Sequence, residues 1–269
     1  MKQLSVIIVN YNGQKFIKNC LNSLYDNLIG IDSEIIIVDN NSTDSSCTLI
    51  TETFPNVRLF ALHENLGFGK GNNIAVSKAT GQYVLLLNID TIIQSSIQTI
   101  LNILKNDHKI GALSINMRDA NNKYIHAAGN FPTILNMFKM SFISCINTEF
   151  KTGNFLKNSY TVDWLCGAFI LLPKSVYEIV GGFDEDYFMY VEDVDLCKKI
   201  ANLNLHRVFI PSLSYTHFVG FNSSKNPYLI NGYKIYIKKH TVGLKRMMLL
   251  FSLDINSFVK MLKIRFKKV

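Results

Sequence analysis

The chain has 269 residues, 48% hydrophobic and 18% charged, which excludes a disordered segment and allows one large core or two small ones. Its formal charge of +8 is unevenly held: from Asn231 onward ten Lys or Arg stand against one acid, Asp254, leaving 18 bases and 19 acids in residues 1–230. The body is therefore near neutral, and the tail alone is marked for a partner of its own.

Five scattered cysteines (Cys20, Cys47, Cys145, Cys166, Cys197) form no CxxC pair, which points to reduced thiols in a cytosolic compartment and away from a zinc site. The start, MKQLSVIIVNYNG, carries too short an apolar run for a signal peptide, and no stretch has the ~18 apolar residues of a membrane span.

Residues 1–90 alternate between two periods. LSVIIV reads as a buried strand, followed by a helix from Gln14 to about Tyr25. EIIIVD is a second strand, ending in NNSTDSS, where Asn, Ser and Asp favour a turn and a helix cap. VRLFAL is a third strand, GFGKGNNIAVSKAT turns into a helix, and QYVLLLNID is a fourth strand. Continuous apolar strands alternating with helices predict an α/β protein with a mostly parallel sheet flanked by helices. In such sheets ligands sit beyond the carboxyl ends of the strands. The polar loops there (NYNG, DNNSTD, HENLGFGKG and NID) are the expected site.

Residues 116–160 mix turn residues with short apolar pieces and predict an irregular excursion, part of a substrate pocket. Order returns with a strand and short helix in VDWLCGAFILLPKSVYEIV, closed by Gly181 and Gly182. A second break is expected at residue 230, with 231–269 a basic helical tail.

Asp90 ends a very apolar strand, where a carboxylate can either cap the next turn or ligate a divalent metal. Asp39 ends another and can meet a nucleoside. The Gly67-x-Gly69-x-Gly71 run lacks the spacings of a P-loop or dinucleotide fingerprint and reads as a flexible loop near the site. From Asp184 to Asp195, six carboxylates fall within twelve residues. An EF-hand is excluded, because Met189 stands where that loop needs glycine. Asp184, Glu185 and Asp186 read as a loop group, whereas Glu192, Asp193 and Asp195 open a helix whose Lys198 and Lys199 suit its dipole. There Asp193 points about 100° away from the face shared by Glu192 and Asp195. His217 follows another strand and admits a structural or a ligating role, with Gly220, Ser223 and Ser224 beside it.

Taken in order, SVIIVNYNG, EIIIVDNNSTDSS, NLGFGKGNN, LLLNIDT, CGAFILLPKSVYEIVGGFDEDYFMYVEDVDLC and THFVGFNSSK resemble a family 2 glycosyltransferase with the GT-A (Rossmann-like) fold. The likeness is to the rhamnosyltransferase-like subgroup that builds bacterial surface polysaccharides, and GGFDEDYFMYVEDVDLC is its most distinctive part. It implies a GT-A domain over 1–230 and an inverting, metal-dependent transfer from a nucleotide sugar, dTDP-rhamnose or a UDP-hexose, to a lipid-linked saccharide. It assigns donor binding to Asn10, Asn12, Asp39, Asn41, Gly67, Asn72, Asn88 and Asp90. Asp90 and His217 would hold Mg²⁺ or Mn²⁺, Asn88-Ile89-Asp90 standing where the family has a DxD motif. Asp193 falls on the catalytic base, with an ordinary carboxylate pKa of about 3.9 sufficing. Trp164, Gly167 and Glu192 fall on the acceptor side.

In FVKMLKIRFKK, Lys260, Lys263 and Lys267 interleave with Phe258, Val259, Leu262 and Phe266. Such a helix suits an anionic membrane surface or packs on its own domain, and the resemblance favours the cytoplasmic face of the cell membrane. Two competing classes remain. A nucleotidyltransferase needs a glycine-rich basic loop after the first strand, which NYNGQKF does not supply. A basic-tailed nucleic-acid binder leaves Asp39, Asp90 and Asp193 without a role, so no nucleic-acid partner is expected.

Overall fold

The computed structural model of the protein describes residues 2–218 and 226–266; Gly220, Ser223, Ser224, Lys267 and the side chains of Leu262, Lys263 and Phe266 lie outside that description. The expected alternation is present in the first 90 residues. The elements are β1 (Leu4–Asn10), α1 (Gln14–Asn27), β2 (Ser33–Asp39), α2 (Ser46–Thr53), β3 (Arg58–Ala61), α3 (Phe68–Ser77) and β4 (Tyr83–Asn88). The four strands run parallel in the order β3-β2-β1-β4. In α1 the buried stripe Ile17, Cys20, Leu21 and Leu24 follows helical spacing. Each such buried aliphatic contributes about 1.5–3 kcal/mol. The helix runs two residues past the expected Tyr25, because the chain turns only at Gly30, whose φ is 81°.

Beyond β4 come β5 (Thr91–Ile93), α4 (Ile97–Asn106) and β6 (Ile110–Arg118). The excursion that follows holds only short pieces: β7 (Ala128–Gly129), α5 (Ile134–Phe138), a 3₁₀ turn at Met140–Phe142, α6 (Thr148–Thr152), β8 (Tyr160–Val162) and β9 (Trp164–Leu165). Then follow β10 (Phe169–Pro173), α7 (Lys174–Ile179), α8 (Glu192–Asn202) and β11 (His206–His217).

β10 enters the sheet antiparallel between β4 and β6, with Phe169 opposite Leu87 and Leu171 opposite both Leu85 and Leu113. An antiparallel strand begins where its parallel neighbours end. The start of β10 therefore lies at the carboxyl edge of β1, β2 and β4, with Asn88 donating its N–H to the Ala168 carbonyl. β11 runs parallel to β6 and antiparallel to β5, setting His217 opposite Thr91. These two reversals bring residues more than a hundred positions apart to one edge.

The break expected at residue 230 falls inside α9 (Asn226–His240), which is followed by α10 (Gly243–Phe266). The tail is not set apart from the body. Tyr233, Tyr236, Ile237, Leu249 and Leu253 share a second, smaller core with Tyr187, Val191, Val194, Met137 and Ile143. The alternative reading of the tail, a helix packed on its own domain, thus accounts for one face of α10.

Candidate active site

Register places the donor-side residues. Asn10 lies opposite Asp39, and Val9 opposite Asn88, so β1, β2 and β4 end together. Asp39 is buried, and its carboxylate is engaged: Oδ2 accepts from the Asn10 amide at 2.7 Å and the Ser42 hydroxyl at 2.7 Å, and Oδ1 accepts from the Ser42 N–H at 2.8 Å. Asn12 has φ 52° and accepts the Thr43 N–H at 2.8 Å. Asn41, φ 66°, is exposed at the loop tip. These bonds tie NYNG to DNNSTD as one rigid ledge. Asn72 is turned away from the ledge, its amide donating to the Phe68 carbonyl within α3.

Gly67 has φ 86° and ψ 178°, a region essentially confined to glycine, and a Cβ there would lie 2.4 Å from the Phe188 carbonyl oxygen. The Phe68 N–H donates to that same carbonyl at 3.1 Å. The glycine loop thus seats the aromatic stretch YFMY. Asn40, which sequence reasoning passed over in favour of Asn41, is buried and donates to the Gly67 carbonyl at 2.9 Å. Its only sequence signal was its place beside Asp39 at a strand end.

At the centre, His217 Nε2 lies 3.1 Å from Asp90 Oδ1 and 3.3 Å from the Asn88 amide nitrogen. The two expected metal ligands are thus brought together, as one carboxylate and one imidazole. Among the described residues no third His, Cys, Asp or Glu joins them. Such a donor pair leaves coordination positions open for phosphate oxygens and water, which fits a divalent cation.

A cavity of about 410 Å³ opens from this edge. Asn88, Asp90 and His217 line it together with Glu192 and Asp193, and its apolar wall includes Phe68, Trp164, Leu229 and Tyr233. Tyr190 and Val191, just before α8, have φ 69° and 74°. Positive φ is strained for a β-branched residue such as Val191 and is a local feature that composition does not reveal. This strained entry sets the first turn of α8 against the cavity instead of leaving its acids in solvent.

Asp193 Oδ2 accepts the Gly167 N–H at 2.9 Å, and Oδ1 accepts the Val194 N–H at 2.8 Å. Gly167, expected on the acceptor side, orients the carboxylate through its backbone. Trp164 donates its indole N–H to the Asn130 carbonyl and lines the same cavity. Asp195 is buried and reaches His240 Nε2 at 2.6 Å, tying α8 to α9.

An ordinary carboxylate pKa would suffice for a base, but Asp193 is shifted from it. Burial pushes Asp193 above the usual carboxylate range, with the Gly167 and Val194 amides holding it partly down. Glu192 is driven well above that range, first by burial and then by the Asp193 charge, and its Oε2 has no partner among the described residues. Glu192 is raised further than Asp193, so of the two Asp193 is the more readily ionised. Burial pushes the Cys166 thiol, also on the cavity wall, up to about 12, so it stays protonated at neutral pH.

The state of Glu192 has a measurable consequence. Its folded-state pKa lies above the unfolded value of about 4.3, so the folded chain binds more protons and loses stability as pH rises through that interval. Glu192→Gln removes the titration. Thermal melts are expected to show the variant gaining on the wild type as pH rises above about 4, where an unfolded glutamate ionises and the buried one does not. A difference independent of pH would mean that Glu192 is charged in the folded protein.

The sheet and its edge site define a class of fold, GT-A. Solved structures of like fold include the mannosyltransferase PcManGT from Pyrobaculum calidifontis in complex with GDP-Man and Mn²⁺. Its TM-score is 0.63 at 18% identity, over 95% of this chain and 73% of that one. S. aureus TarS 1–349 in complex with UDP gives a TM-score of 0.60 at 19% identity, over 93% and 70%. The chain belongs to glycosyl transferase family 2, whose sequence profile matches residues 5–178. The match ends short of Asp193 and His217, whose placement rests on the geometry above.

Among curated relatives, the chain is 26% identical over 213 residues to an N-acetylglucosaminyl-diphospho-decaprenol L-rhamnosyltransferase of Mycobacterium tuberculosis, covering 72% of this chain and 69% of the relative. It is 28% identical over 223 residues to rhamnosyltransferase WbbL of Escherichia coli K12, covering 79% and 82%. Neither the nucleotidyltransferase nor the nucleic-acid-binding alternative finds support among these relatives.

Proposed function

We propose that the protein is an inverting glycosyltransferase that moves a sugar from a nucleotide-diphosphate donor, dTDP-rhamnose or a UDP-hexose, to a hydroxyl of a lipid-linked saccharide. The reaction takes place at the cytoplasmic face of the cell membrane, in synthesis of an O-antigen, capsule or similar bacterial surface polysaccharide. Similarity to the decaprenol-linked rhamnosyltransferase and to WbbL supports these donor and acceptor classes. The observation that carries the proposal is the convergence, in one cavity, of a backbone-held carboxylate and the Asn88–Asp90–His217 edge.

The residues divide the work. The acceptor hydroxyl gives its proton to Asp193 as its oxygen bonds to the anomeric carbon. The bond from that carbon to the diphosphate breaks, and its electron pair leaves with the diphosphate. Attack from the face opposite the leaving group inverts the centre. A raised pKa makes Asp193 a stronger base than an ordinary carboxylate, and it is the more readily ionised of the pair with Glu192. The ledge built on Asp39 and Asn12 fixes the nucleoside, and the apolar wall around Trp164 receives the acceptor sugar. Asp90 and His217 are the residues to hold Mg²⁺ or Mn²⁺. A cation held there would offset charge on the departing diphosphate.

The test is a panel of dTDP- and UDP-sugars with Mg²⁺ or Mn²⁺, read as nucleoside diphosphate release and by the anomeric configuration of the product. One donor is expected to be turned over, with inversion. Asp90→Ala should weaken donor binding at least about tenfold in the presence of metal and little in its absence. Retention of configuration, or equal affinity of the variant with Mn²⁺ present, would overturn the corresponding assignment.

A further inference from the structure

α10 meets the domain with one face and solvent with the opposite one, and the solvent face is apolar. Leu249, Ser252, Leu253 and Asn256 are buried against the body, and the Asn256 amide donates to the Phe138 carbonyl at the end of α5. At about 100° per residue, Leu244, Met247, Phe251 and Phe258 fall on the other side, with Met248 at its edge and the exposed Asp254 the one charge among them. Leu244 is 70%, Met247 68% and Phe251 66% exposed. A helix lying on a globular domain ordinarily turns polar residues outward. Here five large apolar side chains are turned out instead. On the neighbouring α5 and its 3₁₀ turn, Leu135, Phe138 and Phe142 are exposed as well. Singly exposed apolar residues need no explanation, but Leu244, Met247, Met248 and Phe251, at i, i+3, i+4 and i+7 of one helix, form a row that marks an interaction surface.

The charge around the patch selects the occupant. Lys245 is exposed at the start of the helix, Arg246 donates to the Thr241 and Lys238 carbonyls, Lys260 reaches Met140 on the domain side, and Lys263, Arg265, Lys267 and Lys268 follow in the sequence. The one acid of the tail, Asp254, is already paired with Lys234 at 2.9 Å. With ten bases and one acid from Asn231 onward, a second copy would set like charge against like. An anionic lipid surface answers both features, taking apolar side chains below its phosphates and lysines at their level.

We propose that the outward face of α10, together with α5, lies in the headgroup boundary of an anionic bilayer. No helix among the described residues is long and apolar enough to cross a membrane, so the contact is peripheral. Its use rests on the glycosyltransferase reading. α9 supplies Leu229 and Tyr233 to the cavity wall and joins α10 through Thr241 and Val242, so docking sets the cavity one helix away from lipid. A lipid-linked acceptor can then present its sugar without leaving the bilayer.

The test is flotation of the full chain with phosphatidylcholine vesicles, with and without phosphatidylglycerol. Binding is expected only to the anionic vesicles. The triple variant L244D/M247D/F251D, altered only at exposed positions, should lose at least about tenfold in binding with an unchanged melting temperature. Three results would each overturn the inference: no binding to anionic vesicles, equal binding by the triple variant, or a solution dimer that the same variant dissolves. Transfer to a water-soluble acceptor, measured alongside, separates the two claims. Vesicle binding without transfer defeats the catalytic reading alone, and transfer without vesicle binding defeats the docking surface alone.

Discussion

Asp193→Asn is expected to lower sugar transfer by about 10²–10⁴-fold, the contribution of a positioned general base, while nucleotide-sugar affinity stays within about twofold. Asparagine keeps the shape and can still accept the Gly167 N–H, but it cannot take the acceptor's proton. The raised pKa of Asp193 adds a signature in pH: wild-type turnover should fall on acidification at a higher pH than an ordinary carboxylate at about 3.9 would give. Initial rates and donor-binding isotherms across pH check both. Turnover in the variant near the wild-type rate would remove Asp193 from the chemistry. An acid limb at the ordinary carboxylate value would remove the effect of burial.

Gly67→Ala is expected to be the most damaging single change among the glycines near the site. Its backbone lies where non-glycine residues pay about 1–3 kcal/mol, and the added methyl meets the Phe188 carbonyl oxygen at 2.4 Å. That carbonyl belongs to main chain, so relief requires the YFMY stretch to move away from α3. The expected loss is on the order of 3 kcal/mol or more of stability, with transfer reduced even in the fraction that folds. Chemical denaturation and specific activity of the folded fraction measure the two effects. By contrast, Gly181→Ala meets no atom within 4 Å and carries only the strain of its φ of 74°, so it serves as the comparison. Equal effects at the two positions would show that the contact with Phe188 is unimportant.

The parallel half of the sheet was legible because its strands are uninterrupted apolar runs ending in polar turns, and that pattern follows directly from burial on both faces. Asp39, Asn88 and Asp90 were legible for the same reason, as polar residues at the ends of such runs. The role of Gly167 was not. Its contribution is a backbone N–H aimed by the antiparallel entry of β10, and an N–H is common to nearly every residue. The strain at Tyr190 and Val191 left no mark either, since neither residue type favours positive φ. The raised pKa of Asp193 was not legible, because burial belongs to the fold and not to the residue. The break at residue 230 was placed by charge, which reports on solvent. What holds α9 and α10 is the aromatic and aliphatic core beneath it, together with the Asp195–His240 contact. For the same reason the tail cannot be shortened cleanly: removing residues 245–269 would uncover Tyr236 and Ile237, whereas substitution on the outward face leaves them covered.

The position of β10 also bears on how the chain assembles. β4 and β6 are made first but are not neighbours; the strand that joins them is complete only at Pro173. During synthesis the first four strands can pair as they emerge, since each contact spans few residues. The Leu85–Leu87 edge of β4 must then wait, unpaired, for a strand some eighty residues downstream. Open edges of this kind are where chains join one another wrongly, and contacts so distant in sequence form slowly. The strand that begins just after Gly167, and aims its N–H at Asp193, therefore also closes the sheet, so a chain that has not closed it lacks the oriented carboxylate.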